Sequence, residues 1–324
     1  MLKNSFKHSL LALTLAMTTL GMTATSQAKT PATSSMQEKT ALININTTKQ
    51  TTEMVKTKDG LNLFLTKDMP QTKPKAILVI SHGLASHSGV FGDMAKQMNV
   101  NDIAVYRFDH RGHGKSDGRD KIHINSYFEM ADDLDMMIAT AKRENPNTPV
   151  FVLGHSMGGH IAALSGTRTP NQADGYILAA GVLRYNQMNF GYLPRPEPAD
   201  SFVSGMVAFT TLNLPMPKQE SGLSLPNDPL MLQKFSVSFL NAFRPGVKYL
   251  KDHDDKFTDP VLLVSGNNDL FVSPQDAIDF HQETNSTDKS LKLYSHFGHL
   301  LFLEPGGDEI TDDIVDWINH RTAK

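Results

Sequence analysis

The chain has 324 residues, of which 40% are hydrophobic and 20% are charged. This composition belongs to a globular protein with a large core, and 31 Lys and Arg against 34 Asp and Glu leave no basic excess for nucleic-acid binding. The absence of cysteine excludes disulfides, zinc–thiolate sites, iron–sulfur clusters and thiol catalysis.

The first 28 residues have the pattern of a signal peptide. Lysines at positions 3 and 7 precede an apolar run over residues 10–20, and Ser26 and Ala28 supply the small side chains of a cleavage site. The apolar run is shorter than the roughly 20 residues that a membrane-spanning helix needs. We therefore expect export, to the periplasm or by secretion, and an uncleaved membrane anchor is the alternative.

A polar segment and then a hairpin follow the signal. Residues 29–50 are rich in Thr, Ser, Lys and Gln, which predicts a flexible leader before a folded domain over residues 51–324. Two extended runs, 52–57 and 61–67, flank the dipeptide Asp59-Gly60. Because Asp-Gly favours a tight turn, these runs predict a β-hairpin.

Short apolar runs bounded by turn residues then alternate with helical patterns. The runs have the character of buried parallel strands and lie at residues 75–81, 103–109, 150–154, 176–181, 261–266 and 291–295. Between two of them, apolar residues recur every three or four positions from Tyr127 to Ala141, and the same spacing returns from Ile310 to Trp317. This alternation predicts an α/β protein with a mostly parallel, doubly wound sheet and a leading hairpin.

Residues 182–258 interrupt the alternation. They carry several prolines, methionines and phenylalanines and show no clear strand. Because a structureless loop of this length is unusual in a compact domain, we expect an inserted cap that folds over the C-terminal ends of the strands. Within it, Phe202, Met206 and Phe209 lie three or four residues apart, which predicts a helix with an uncharged face.

The sequence Gly154-His155-Ser156-Met157-Gly158-Gly159 lies where the run 150–154 gives way to a helical pattern. In the G-x-S-x-G turn between a strand and a helix, the serine takes a strained conformation that exposes its hydroxyl above the sheet edge. Ser156 is therefore the predicted nucleophile. The alternative is an ordinary glycine-rich turn with a bystander serine.

A serine nucleophile needs a base and an orienting carboxylate, which follow in the order Ser, Asp or Glu, His in this kind of sheet. Asp269 comes directly after the run 261–266, so it lies at the C-terminal end of a predicted strand. His296 and His299 both follow the last strand. We favour His299, because a few loop residues are needed to return to the serine, and His296 is the alternative.

Acyl transfer also requires hydrogen-bond donors for the oxyanion of the tetrahedral intermediate. One predicted donor is the backbone N–H of Met157, which follows the nucleophile. The other is the backbone N–H of Leu84, in the loop Ser81-His82-Gly83-Leu84 after the first central strand.

Residues 109–116, with the sequence DHRGHGKS, have some features of a metal- or phosphate-binding loop. They contain neither H-E-x-x-H nor a complete P-loop, however. We expect a structural turn beneath the site, held by Asp109 and Arg111. The predicted chemistry needs no metal and no cofactor.

Several of these motifs resemble those of one known family. The segments 81–84 and 87–89, the loop 109–118, the turn 154–159 and the pair Asn268-Asp269 are similar to motifs of α/β-hydrolases of the monoacylglycerol lipase and lysophospholipase group. The similarity runs from about residue 52 to the C-terminus and includes residues 227–230 in the cap. It implies an α/β-hydrolase fold, the triad Ser156, Asp269 and His299, and oxyanion donors at Leu84 and Met157.

The resemblance implies a serine ester hydrolase acting on single-chain lipid esters such as monoacylglycerols or lysophospholipids. Phe202, Met206 and Phe209 would then line an acyl tunnel or rest transiently on a membrane or micelle, unless they are only cap core. The alternatives are a small-ester carboxylesterase or a proline-releasing peptidase on the same scaffold, or an inactive hydrolase fold that serves as a binding protein.

Overall fold

The computed structural model describes residues 48–119, 124, 126–184, 198, 201–204, 228–232 and 234–323. All of them belong to the unit Leu42–Lys324. The predicted signal peptide, residues 1–28, and most of the predicted leader lie outside the described residues. None of the described helices combines the length and apolar character needed to cross a membrane.

The strands of the described residues form a large sheet and a small one. Their bounds are β1 Thr48–Lys56, β2 Asn62–Pro70, β3 Ala76–Ser81, β4 Ile103–Phe108, β5 Val150–His155, β6 Gly175–Ala179, β7 Phe202–Ser204, β8 Lys234–Ser236, β9 Val261–Gly266 and β10 Lys289–Tyr294. The large sheet has the order β1-β2-β4-β3-β5-β6-β9-β10. β1 and β2 pair antiparallel with each other, β2 pairs antiparallel with β4, and the remaining pairs are parallel.

Helices connect the parallel strands and cover both faces of the large sheet. The α-helices of the described residues are α1 Gly92–Val100, α2 Tyr127–Glu144, α3 Met157–Arg168, α4 Val237–Asn241, α5 Phe243–His253, α6 Pro274–Glu283 and α7 Gly307–Thr322. Short 3-10 helices lie at Ser88–Phe91, Asp254–Lys256 and Leu301–Leu303. This arrangement confirms the predicted α/β class.

The central strands are apolar along their whole length because both faces of the sheet are covered. All six residues of β3 are buried. Ile77 and Val79 pack into the core on one face, whereas Leu78 and Ile80 pack into the core on the other. Successive side chains of a strand point to opposite faces, so a continuous apolar run supplies both cores at once.

The leading hairpin forms as predicted but begins earlier. β1 and β2 pair from Thr48↔Pro70 to Lys56↔Asn62, and Gly60 in the turn between them has φ +92°. Residues 48–50 therefore belong to the sheet rather than to the leader. Their polar composition suits an edge strand, since most of β1 is exposed.

The insertion between β6 and β9 differs in detail from the prediction. Its described part contains the antiparallel pair β7–β8 and the helices α4 and α5, and the two short strands have no clear signal in the sequence. Phe202 lies in β7, where Phe202 pairs with Ser236 of β8. Apolar spacing in a short segment does not exclude an extended conformation, and a partner strand more than 30 residues away decides between the two.

Candidate active site

Ser156 occupies a sharp turn between β5 and α3. Its backbone has φ 56° and ψ −117°, a conformation that L-residues rarely adopt. A Cβ on Gly158 would overlap the carbonyl oxygen of Ser81, and a Cβ on Gly154 would overlap that of Gly158. The glycines therefore allow the close backbone approach that the turn requires.

Three residues from separate loops meet at the C-terminal edge of the sheet. The Ser156 hydroxyl donates to His299 Nε2 at 2.9 Å, and His299 Nδ1–H donates to Asp269 Oδ2 at 2.8 Å. His296 is exposed and hydrogen-bonds the neighbouring Ser295 instead. The structure thus brings together the serine, carboxylate and histidine that the sequence singles out.

Asp269 is held as an acceptor for His299. Its Oδ1 accepts the backbone N–H groups of Phe271 at 2.8 Å and Val272 at 2.9 Å, while Oδ2 faces the imidazole. The carboxylate is fully buried. Since an ionised carboxylate only accepts hydrogen bonds, this arrangement places the His299 proton on Nδ1 and leaves Nε2 free to accept from Ser156.

Two residues that the sequence did not single out for this role hold the loop that carries His299. Glu304 accepts the backbone N–H groups of Gly298 and Leu300, each at 2.9 Å, and of Leu301 at 3.2 Å. His155 Nε2–H donates to the carbonyl oxygen of His299 at 2.8 Å. The sequence offers only a weak signal for Glu304, its position five residues after His299.

The loop after β3 lies directly against the serine. A Cβ on Gly83, the residue before Leu84, would stand 3.2 Å from Ser156 Cβ. Among the described residues, neither Leu84 N–H nor Met157 N–H has a hydrogen-bond acceptor. An unpaired backbone N–H is what the predicted role of an oxyanion donor requires.

The loop 109–116 has the structural role that the sequence predicts. Asp109 accepts the backbone N–H groups of Ser88 at 2.7 Å and Lys115 at 2.8 Å. Arg111 makes a bidentate ion pair with Asp133 of α2, with 2.7 Å between Nε and Oδ2 and 2.8 Å between Nη2 and Oδ1. These contacts tie the loop to α2 and to the segment that follows the predicted oxyanion loop.

Burial favours the neutral forms of His155 and His160. Desolvation lowers the pKa of His155 to about 4, with a further contribution from nearby His299, and lowers that of His160 to about 3. His160 Nδ1–H donates to the carbonyl oxygen of Val182 at 3.0 Å, so His155 and His160 are both hydrogen-bonded neighbours of the turn. In the part of the chain that the structure describes, no group of three or more His, Asp or Glu side chains could hold a metal ion.

The predicted substrate-binding residues of the cap are not assembled into a site by the described structure. The helix predicted to start at Phe202 is wrong at that end, because Phe202–Ser204 is the strand β7. Met206 and Phe209 lie outside the described residues.

Comparison with known proteins identifies the family of this chain. The model of the Hydrolase_4 family, described as serine aminopeptidase S33, matches residues 72–306. The chain belongs to this family. The match spans the turn at Ser156 and the loops of Asp269 and His299, and it confirms the predicted identity as a serine hydrolase.

The similar proteins include several monoacylglycerol lipases. Human monoglyceride lipase is 30% identical over 288 residues, covering 82% of this chain and 89% of that protein. The monoacylglycerol lipase of Mycolicibacterium smegmatis is 25% identical, covering 77% of this chain and 90% of that protein. A crystal structure of a soluble variant of Saccharomyces cerevisiae monoglyceride lipase shares the fold, with a TM-score of 0.73 at 19% identity over 87% of this chain and 98% of that one.

Proposed function

We propose that this serine hydrolase cleaves esters of single-chain lipids, monoacylglycerols above all, through an acyl-enzyme formed on Ser156. The observation that carries the proposal is the continuous hydrogen-bond chain from Ser156 through His299 to Asp269. The similarity to monoglyceride lipases along most of the chain supports the choice of substrate class.

In the proposed first half-reaction, Ser156 Oγ attacks the ester carbonyl carbon while His299 Nε2 takes the hydroxyl proton. Asp269 keeps His299 in the required tautomer and stabilises the imidazolium. The carbonyl oxygen becomes an oxyanion, which the N–H groups of Leu84 and Met157 bind. As the intermediate collapses, the bond to the glycerol oxygen breaks and His299 returns the proton to that oxygen.

The second half-reaction repeats these steps with water. His299 takes a proton from the water molecule as its oxygen attacks the acyl carbon. Collapse of this second intermediate releases the fatty acid and returns the proton to Ser156 Oγ. The enzyme regains its starting state with no other reactant.

Apolar side chains border the triad in the described residues. Leu270 and Phe271 directly follow Asp269, and the Phe271 ring lies 5.1 Å from that of His299. Leu270 is 54% exposed, and Leu84 and Leu300 are half-buried. An exposed apolar rim suits an acyl chain better than the charged amino terminus of a peptide.

Labelling with a fluorophosphonate probe and a substrate panel tests the proposal. We expect covalent labelling at Ser156, and we expect Ser156→Ala and His299→Ala each to lower hydrolysis of a monoacylglycerol by about 10³-fold or more. His296→Ala is the matched control and should retain activity. Labelling at another serine, or faster cleavage of an aminoacyl p-nitroanilide than of any ester, would contradict the proposal; the latter result would favour the peptidase alternative.

For residues 1–28 we propose a signal peptide that directs export to the periplasm or outside the cell. The basic start, short apolar run and small residues before position 29 support it. N-terminal sequencing of the protein from cell fractions should find a chain beginning at Lys29 outside the cytoplasm. An intact N-terminus in the membrane fraction would favour an anchor instead.

A further inference from the structure

A buried pair outside the triad links the predicted oxyanion loop to the insertion. His87 lies three residues after Leu84, and Asp228 lies in the insertion, 141 positions further along the chain. Their side chains meet at 2.9 Å between Nε2 and Oδ2, and each is only 5% exposed. A buried polar contact over this sequence separation holds two loops in one arrangement.

The hydrogen bonds of the pair require one tautomer. His87 Nδ1 accepts the backbone N–H of Gly89 at 3.1 Å, which places the imidazole proton on Nε2, facing Asp228. Asp228 Oδ1 in turn accepts the backbone N–H of Leu230 at 2.8 Å. Both ring nitrogens and both carboxylate oxygens are therefore used, and an amide in place of the carboxylate would set its own N–H against either the His87 Nε2–H or the Leu230 N–H.

The backbone between Leu84 and His87 is strained and is held by a hydrogen bond from the insertion. Ala85 has φ 65°, a left-handed conformation that an alanine rarely adopts. Its carbonyl oxygen accepts the N–H of Leu232, a second residue of the insertion, at 2.9 Å. Residues 228–232 thus hold the loop at two points on the C-terminal side of Leu84.

We propose that His87 and Asp228 are a positioning pair that holds the oxyanion loop against the insertion and so aims the Leu84 N–H at the developing oxyanion. The inference rests on the proposed function, since it assigns a role to the loop that carries Leu84. The pair does not touch the reacting atoms. Its effect is on the alignment of a donor, which matters most in the transition state.

Three single variants, one double variant and a control separate this role from ordinary stabilisation. Asp228→Asn introduces a donor–donor conflict that removes one of the two hydrogen bonds of Asp228, to His87 or to Leu230. His87→Asn can still accept from Gly89 but cannot reach Asp228, whereas His87→Gln carries an amide N–H as many bonds from Cα as Nε2. Asp252→Asn is the matched control, because Asp252 makes an exposed ion pair with Lys248 elsewhere in the insertion.

The measurements are the burst-phase acylation rate with p-nitrophenyl acetate, kcat and KM for that ester and for a monoacylglycerol, and the melting temperature. We expect Asp228→Asn and His87→Asn each to lower acylation and kcat about 10- to 100-fold on both esters, with KM for the short ester within about twofold. His87→Gln should retain most of the activity, and His87→Asn combined with Asp228→Asn should lose no more than either alone. The control should equal the wild type.

Two results would overturn the inference. One is wild-type acylation in Asp228→Asn and His87→Asn. The other is a loss that follows the melting temperature and the fraction of labelled protein, with full activity per labelled molecule, because that pattern shows stabilisation alone. Failure of the proposed function is distinct, since the wild type itself would then not be labelled at Ser156.

Discussion

The contacts of Glu304 lead to a quantitative prediction about the loop that carries His299. Its carboxylate accepts three backbone N–H groups, two on Oε1 and one on Oε2. In Glu304→Gln, the amide oxygen can keep the bonds to Leu300 and Leu301, but the amide N–H would face the N–H of Gly298. We therefore expect one charged hydrogen bond to be lost and two to become neutral.

The size of the effect follows from those three bonds. A hydrogen bond to a charged group contributes about 1.5–3 kcal/mol, against about 0.5–1.5 kcal/mol for a neutral one. Counting only the lost bond to Gly298, and at the low end because Glu304 is half-buried, we expect at least about 1.5 kcal/mol of lost local stability. If this free energy is what aligns His299 Nε2 with Ser156 Oγ in the transition state, its loss decreases kcat about tenfold, since about 1.4 kcal/mol is a factor of ten.

The assay is kcat for p-nitrophenyl acetate together with the melting temperature. A global loss of 1 kcal/mol lowers the melting temperature by only about 2–4 °C in a domain of this size, so the folded fraction at room temperature should not change. Glu309→Gln is the control, because Glu309 is exposed in the first turn of α7. Equal kcat in Glu304→Gln, Glu309→Gln and the wild type would refute the role of Glu304.

Three further variants test the packing and electrostatics around the site. Gly158→Ala should abolish activity, because its Cβ would overlap the carbonyl oxygen of Ser81; normal turnover would contradict the geometry of the turn. The free energy of unfolding of the wild type relative to His160→Leu should fall as the pH drops from 6.5 toward about 3, because His160 is protonated in the unfolded chain but stays neutral when buried. Urea unfolding at several pH values measures the difference. Burial raises the pKa of Asp276 to about 7, so the free energy of unfolding of the wild type relative to Asp276→Asn should fall as the pH rises from about 4 to about 7. A difference that does not change with pH would show that Asp276 titrates normally.

Much of the fold and of the site is predictable from the sequence, because the signals are local. A strand buried on both faces is apolar throughout, which is why the runs at 75–81, 150–154 and 261–266 reproduce β3, β5 and β9 within one residue at each end. Parallel strands present their C-terminal ends at one edge of a sheet. Ser156 and Asp269, each placed just after such a strand, are therefore expected at the same edge of the sheet.

The sequence was least informative where distant segments decide the local structure. The spacing of Phe202, Met206 and Phe209 predicts a helix, yet β7 forms at Phe202 because β8 offers a partner strand there. Likewise, polar residues 48–50 have no strand pattern of their own and become extended by pairing along β2. In both places the cross-strand hydrogen bonds outweigh the local preference.

The sequence by itself determined the α/β class, the serine turn and the order of the triad, because periodicity and residues at strand ends need no knowledge of distant contacts. Only the tertiary structure decided that His299 rather than His296 reaches the serine, that Glu304 holds the histidine loop, and that His87 meets Asp228. Those contacts depend on how loops fold back between elements far apart in the chain. Loop conformation is set by hydrogen bonds to residues that no sequence window contains together, so no local pattern encodes it.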